Sequence, residues 1–289
     1  MPEELQLKSS ASLRDLLKDV AGRLEAVSES PTLDAEVLLS RAIDMPRSYF
    51  FSHPEDVPDD GAVARLEKNL ARRLGGEPMA YITGSKEFWS LDLMVTPATL
   101  VPRPETEVLV EKALQEIPRG ENWKILDLGT GGGAIAVAIA RERPLCDITA
   151  TDVSADALRV AEQNVRILEL ANVKCVQGDW TTPVHEQAFD LIVSNPPYVA
   201  AGHPDLEGLK QEPRAALVSG EDGLDAIRVL ARDCAQILKA GSAIMIEHGY
   251  DQERGVASLL TTQGWSSVEC YKDYAGLPRI TIARKSGSN

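Results

Sequence analysis

From Trp123 onward the chain alternates short apolar strands with amphipathic helical stretches, and this rhythm limits the possible fold more than any other feature. Lys124 to Leu128 reads as a strand, Gly129 to Gly133 as a loop and Ala134 to Arg143 as a helix. Asp147 to Thr151 is the next strand and Ser154 to Leu170 the next helix, with Leu158, Ala161, Val165 and Leu168 on one face. Val173 to Gln177, Phe189 to Ser194 and Ser242 to Glu247 read as further strands, Leu224 to Leu238 and Gln252 to Thr262 as helices, and Trp265 to Cys270 with Arg279 to Ala283 as a closing antiparallel pair. The rhythm implies an α/β protein with an open, mostly parallel, doubly wound sheet whose ligands bind at the carboxyl ends of its strands.

The preceding residues follow another pattern. Leu13, Leu16, Leu17, Val20 and Leu24 fall at helical spacing, as do Val63, Leu66, Leu70 and Leu74, and Pro31 to Ile43 reads as a helix between them. A small all-helical domain over residues 1–76 is expected, with Arg65, Lys68, Arg72 and Arg73 as a basic stripe on its last helix. Such a stripe is usually a solvated face, although it offers local docking charge. Gly75-Gly76 ends that helix, and β-formers with turn residues at Gly84 and at Ser90 to Asp92 suggest a β-hairpin linker over 77–101. The prolines of Val101-Pro102-Arg103-Pro104-Glu105-Thr106-Glu107 then force an extended approach to a helix, opening a third segment, 102–289. Arg103, Glu105 and Glu107 either line a ligand entrance or simply start that helix.

Thirty Lys+Arg stand against 44 Asp+Glu, and the net charge of -14 disfavours direct binding to a phosphate backbone. The acidic start Met1-Pro2-Glu3-Glu4 lacks the pattern of a secretory leader, and no uncharged apolar run approaches the ~18 residues of a membrane span. A cytoplasmic protein without membrane attachment is expected. Cys146, Cys175, Cys234 and Cys270 are scattered, as are the four histidines, so free thiols and no structural zinc are expected.

Asp127-Leu128-Gly129-Thr130-Gly131-Gly132-Gly133-Ala134 lies where a strand gives way to a helix. Glycines there let the backbone approach a ligand closely near a helix N-terminus. With Asp152 as a ribose acceptor at the end of the next strand, the loop alone fits a nicotinamide dehydrogenase. Asp127, two positions before the first glycine, suits instead a ligand bearing an ammonium and a sulfonium, and S-adenosylmethionine has both. Its adenine could sit against Asp179-Trp180 at the end of the third strand, Asp179 accepting from the exocyclic amine. Trp180 is equally compatible with ordinary core packing.

Asn195-Pro196-Pro197-Tyr198 follows the strand ending at Ser194 and opens a stiff loop beside the glycines. The Asn195 side-chain oxygen and the Pro196 carbonyl can converge as two acceptors on one NH2 group, while Tyr198 offers a flat face to the planar group that carries it. That geometry suits an amide or an aromatic amine.

These residues together resemble a seven-stranded, Rossmann-like S-adenosylmethionine-dependent methyltransferase of the amino-methylating type. With Gly76-Glu77-Pro78, Glu87-Phe88-Trp89, Pro102 to Glu107 and Glu247-His248-Gly249, the chain resembles over nearly its whole length the HemK/PrmC family of release-factor glutamine methyltransferases. One departure is Gly132, where the family commonly shows Thr or another small residue. The resemblance implies methyl transfer from S-adenosylmethionine, leaving S-adenosylhomocysteine, to the N5 amide of the glutamine in the Gly-Gly-Gln tripeptide of peptide chain release factors. It implies a monomer whose helical domain docks the protein substrate. Asp127, Gly129, Thr130, Gly131, Gly132, Gly133, Asp152, Asp179, Trp180 and Asn195 would hold the cofactor. Asn195, Pro196, Pro197 and Tyr198 would grip the glutamine, with Asn195, Pro196 and Tyr198 catalytic. His248 is expected to be structural. The alternatives are an adenine-N6 methyltransferase on nucleic acid, which shares the Asn195 loop, an NAD-dependent oxidoreductase, and a non-catalytic binding module.

Overall fold

A computed structural model describes residues 6–287 and divides the chain into two compact units that meet between Gly84 and Ser85. The first unit is helical: α1 (Leu13–Leu24), α2 (Pro31–Ile43), the single turn α3 (Tyr49–Ser52), α4 (Asp60–Leu74) and α5 (Met79–Thr83). Ser12 and Asp59 start α1 and α4 by accepting from the Asp15 and Ala62 amides, so each helix begins where a side-chain oxygen satisfies an orphan donor. Leu13, Leu16 and Val20 of α1, Leu38 and Leu39 of α2, and Leu66 and Leu70 of α4 close one core. The basic stripe on α4 is largely tied inward: Arg72 pairs with Glu77, Arg73 Nε donates to Asp34 at 2.9 Å, and Arg65 Nε donates to the Ala42 carbonyl at 2.9 Å.

The hairpin is shorter than the sequence suggests. Tyr81 to Thr83 are β-formers, yet they belong to α5, which starts after Pro78 and ends at Gly84 in the left-handed region (φ 79°). The strands are only β1 (Ser85–Phe88) and β2 (Leu91–Met94), joined by Trp89 and Ser90, both at positive φ as a type I′ turn requires. The hairpin belongs to the second unit, where Asn164 fastens it to the sheet domain by accepting from the Met94 amide at 2.8 Å and donating to Met94 O and Gly132 O.

The second unit continues through α6 (Thr106–Glu116), β3 (Lys124–Leu128), α7 (Ala134–Glu142), β4 (Asp147–Asp152), α8 (Ala155–Ile167), β5 (Val173–Gln177), β6 (Phe189–Ser194), α9 (Asp225–Ile237), β7 (Leu238–Glu247), α10 (Glu253–Thr262), β8 (Trp265–Lys272) and β9 (Pro278–Lys285). These strands form a seven-stranded sheet in the order β5-β4-β3-β6-β7-β9-β8, parallel except for β9, which runs antiparallel to both its neighbours. Helices cover both faces: Ile125 of β3 packs with Val137 and Ile139 of α7, while Leu126 and Leu128 pack with Ile227 and Leu230 of α9. That double cover explains why β3 is buried continuously from Ile125 to Leu128 instead of on alternate residues. Among the described residues no helix is long and apolar enough to cross a membrane.

Candidate active site

The winding direction reverses at β3, whose neighbours are β4 on one side and β6 on the other. The crevice between the loops that leave β3 and β6 is therefore the place where such a sheet binds ligands. A cavity of about 250 Å³ opens there, and its walls include Thr99, Gly129, Gly131, Asp152, Trp180 and Asn195.

The glycine loop is shaped by its own hydrogen bonds. The Gly129 and Thr130 amides both donate to Thr151 O at 2.9 Å, and the Gly131 amide donates to Asp152 Oδ2 at 2.8 Å. Gly129, Gly131 and Gly133 hold φ of 70°, 55° and 85°, a region strained for other residues. Gly133 is restricted a second time, because a Cβ there would stand 3.1 Å from Ala161 Cβ where α7 and α8 approach. Asp152 Oδ1 accepts from the Ser154 amide at 2.8 Å, so this carboxylate supports the loop with both oxygens while facing the cavity. Each oxygen keeps lone-pair capacity for a hydroxyl of a bound ribose.

Trp180 does both things the sequence left open. Its ring lies 3.5 Å from where a Gly129 Cβ would be and lines the cavity, while the same side chain packs on the core beneath β3 and β6. Asp179 stands exposed at the rim.

Asp127 is placed behind the loop. It is 1% exposed and does not line the cavity, whereas Thr130, whose hydroxyl donates to Asp127 Oδ2 at 2.5 Å, does. Burial pushes the Asp127 carboxyl up to about 7, against the lowering effect of the Thr130 bond. Its Oδ1 is buried without a hydrogen bond, an unsatisfied acceptor that a nearby ammonium would relieve. Cradle, ribose acceptors, flat indole wall and orphan carboxylate oxygen together fit S-adenosylmethionine.

On the β6 side, Asn195 and Pro197 line the cavity, whereas Pro196 is buried and Tyr198 turns away from it. Asn195 Nδ2 donates to Thr106 Oγ1 at 3.1 Å, which leaves its Oδ1 as the free acceptor. The Tyr198 hydroxyl donates to Glu247 Oε1 at 3.3 Å, and its carbonyl accepts from Gln252 Nε2 at 2.9 Å. Gly223 presses on the same carbonyl so closely that any Cβ there would overlap it, at 2.3 Å. The planar face offered by Tyr198 in the sequence reading is thus a buttress behind the loop, and its phenol is held above its ordinary value chiefly by burial.

The Arg103 group divides. Arg103 lines the cavity and pairs with Glu212, which is 7% exposed and also accepts from the Val101 amide at 3.0 Å. Glu105 precedes α6 without capping it and Glu107 accepts from the Trp89 amide at 2.9 Å, and neither lines the cavity. His248 is buried, bonded through Nε2 to Thr281 Oγ1 and through Nδ1 to Gly249 O, both at 2.8 Å. Thr99 and Glu212 carry no motif and are invisible from sequence alone, and Thr106 stands in the Pro102 to Glu107 run with no role that the sequence assigns to it. All four cysteines are free.

A seven-stranded doubly wound sheet with a glycine loop, an acidic ribose site and a stiff Asn-Pro-Pro-Tyr loop at its switch point defines a methyltransferase that uses S-adenosylmethionine. The comparisons agree. Residues 104–213 match the methyltransferase small domain family and residues 15–84 the PrmC N-terminal domain. A methyltransferase from Pyrococcus furiosus shares the fold, with a TM-score of 0.53 at 24% identity over 76% of this chain and 98% of that one. A release factor glutamine methyltransferase of Coxiella burnetii is 42% identical over 95% of this chain and 99% of its own length. That of Salmonella typhimurium is 44% identical over 89% and 93%, and that of Escherichia coli 40% identical over 93% and 97%. The chain belongs to the release factor glutamine methyltransferase family.

Proposed function

We propose that the chain methylates the side-chain amide nitrogen of the glutamine in the Gly-Gly-Gln tripeptide of peptide chain release factors, working as a monomer in the cytoplasm. Bound S-adenosylmethionine supplies an electrophilic methyl group and leaves as S-adenosylhomocysteine. The loop and strand ends, Gly129 to Gly133 with Asp152, Asp179 and Trp180, hold that cofactor, with Asp127 acting from behind Thr130. Asn195 accepts one amide hydrogen of the glutamine and the Pro196 carbonyl the other, with Pro197 on the cavity wall and Tyr198 behind the loop.

The observation that carries this reading is the commitment of Asn195 Nδ2 to Thr106. An amide nitrogen is a poor nucleophile because its lone pair is delocalised, so it has to be held in line at ~3 to 3.5 Å. Acceptors on both N-H bonds favour the positive charge that grows on nitrogen as the N-C bond forms. No proton need leave before the methyl moves, and solvent can take it afterwards. The helical region, residues 1–76, docks the intact protein substrate. An adenine in nucleic acid would present a similar amine, but the net charge of -14 and the pairing of Arg103 with Glu212 argue against a phosphate track.

Mass spectrometry of a release factor incubated with enzyme and cofactor tests the proposal. One added methyl on the tripeptide glutamine is expected. A release factor carrying Glu in its place offers an ionised group with no N-H donors and should remain unmodified. Methylation of the Glu form at a comparable rate would show that the Asn195 loop serves a different acceptor.

A further inference from the structure

Glu247 ends β7 directly after Ala243 to Ile246, an entirely buried apolar run, and is itself only 1% exposed. A carboxylate at such a place is costly to hold, since burial disfavours its charge and a neutral side chain of similar size would not suffer this. Its Oε1 accepts from Tyr198, but Oε2 is buried with no hydrogen bond. One shell inward, Thr106 accepts from Asn195 Nδ2. Past Ser194 and Ile246, the last pair of the parallel β6–β7 register, Asn195 and Glu247 follow side by side, and the Thr106 hydroxyl draws the Glu247 carboxyl downward.

We propose that Glu247 is a positioning residue that dictates, through Thr106, which end of the Asn195 amide meets the substrate. The inference rests on the reading of Asn195 as an acceptor for the substrate amide. The oxygen and nitrogen ends of an asparagine amide have nearly the same shape, so only their hydrogen-bond partners decide which way round it sits. A threonine hydroxyl cannot decide alone, because it both donates and accepts. An ionised carboxylate only accepts. With Glu247 ionised, the Thr106 proton turns toward the carboxylate and a Thr106 lone pair faces Asn195. Asn195 must then give Nδ2 to Thr106 and keep Oδ1 for the substrate. If Glu247 is neutral, Thr106 is free to donate to Asn195 Oδ1, and the amide can turn round to present a donor where an acceptor is needed. Tyr198, tied to Oε1, keeps the carboxylate and the loop in register.

Other charges bear on Glu247 as well. Arg279 lowers its carboxyl and is itself bonded to Asp273 at 3.2 Å and to His248 O at 3.4 Å, while Glu105 raises it. Burial dominates and holds the group at about 7, so the relay switches on as pH rises through neutrality.

The test measures kcat, the KM for release factor and the cofactor Kd of the full-length protein for Glu247→Gln, Thr106→Val and the double variant. Each single variant should lower kcat about 10- to 100-fold, the scale of a misplaced reacting group, with cofactor Kd unchanged and no further loss in the double variant. Thr106→Ser should recover most of the activity. Wild-type kcat should rise through about pH 7 and that of Glu247→Gln should be flat there. A merely structural role would give additive losses and an unchanged pH profile, and either result overturns the proposal. If Glu247→Gln does not fold, Thr106→Val, Thr106→Ser and the wild-type profile decide it. Normal kcat in Asn195→Ala would instead refute the acceptor reading beneath it, whereas a loss there with full activity in Glu247→Gln and Thr106→Val refutes the relay alone.

Discussion

The proposed site gives Asp152 two tasks, and one substitution removes both. Its Oδ2 and Oδ1 accept from the Gly131 and Ser154 amides, each at 2.8 Å, and both oxygens have capacity left for the hydroxyls of a bound ribose. Asp152→Ala removes the support and the ribose site together. The support is half-buried, so water replaces part of it, and the expected stability loss is about 1 to 2 kcal/mol. Hydrogen bonds from the ribose to a charged acceptor add about 1.5 to 3 kcal/mol, so the cofactor Kd should rise roughly 10- to 150-fold. Calorimetric titration with S-adenosylmethionine and with a 2′-deoxyribose analogue distinguishes the two. The wild type should bind the analogue more weakly than the natural cofactor, whereas Asp152→Ala, having lost the acceptor, should treat them alike. An unchanged cofactor Kd in a folded variant, or the same penalty for the analogue in both proteins, would refute the ribose assignment.

Asn195→Ala should leave cofactor affinity intact and lower kcat by ~100-fold or more, the scale of one preorganised partner at a reacting centre; normal turnover would exclude it from the reaction. Asn195→Asp should recover little, because the aspartate offers no N-H to Thr106. A chain beginning at Ser85 should bind cofactor yet methylate intact release factor with a much lower kcat/KM, and equal values would dismiss the docking role of the helical unit. Arg73→Ala should lower stability by about 1 to 3 kcal/mol, since it leaves the buried Asp34 without its cation, and the KM for release factor should stay unchanged. Asp127 and Glu247 are raised in the fold from their ordinary values of 3.8 and 4.5 to about 7, so the native state binds protons the unfolded chain has released. The cost of burying them ionised is absent below about pH 4 and fully felt above about pH 7, so thermal melts of Glu247→Gln should show a shallower decline over that interval than the wild type.

Much of the fold is legible because local signals and tertiary demands coincide. The stretches read as strands at Lys124 to Leu128, Val173 to Gln177 and Phe189 to Ser194, each followed by a glycine or an Asn-Pro turn, match β3, β5 and β6 residue for residue. The signals fail where one neighbour overrides propensity. Pro78 and Gly84 turn the β-formers Tyr81 to Thr83 into a helical turn, and α8 ends at Ile167 because Glu169, with no glycine to announce it, takes φ 55°. The site divides in the same manner. The glycine loop, Asp152 and Asn195 are legible because each motif is contiguous and sits at a strand end. The contacts of Thr106, Glu212 and Glu247 are not, because they join residues 89, 111 and 49 positions apart. Those distances close only once β7 lies beside β6 and the segment before α6 folds over both, and no local periodicity encodes that order.

The two sides of the crevice have opposite electrostatic needs, and the sheet order meets both. In the proposed reaction the β3, β4 and β5 ends offer Asp127, Asp152 and Asp179 to a ligand that carries positive charge, while β6 and β7 offer Asn195 with Glu247 behind it to a nitrogen that becomes positive. The groups proposed to face positive charge are acceptors, and the fold has to hold two carboxylates, Asp127 and Glu247, in places where each keeps one oxygen without a hydrogen bond. Such groups destabilise the protein on its own but stabilise it wherever positive charge gathers. Proton abstraction ahead of transfer would call for a base within reach of the amide, and the residue proposed to meet the amide is an uncharged asparagine. Methyl transfer needs only a nitrogen held in line with both hydrogens occupied. On this account the burial of Glu247 behind Tyr198 and Thr106 follows from the reaction: in contact with the nitrogen it would be a base, and one residue removed it can only orient.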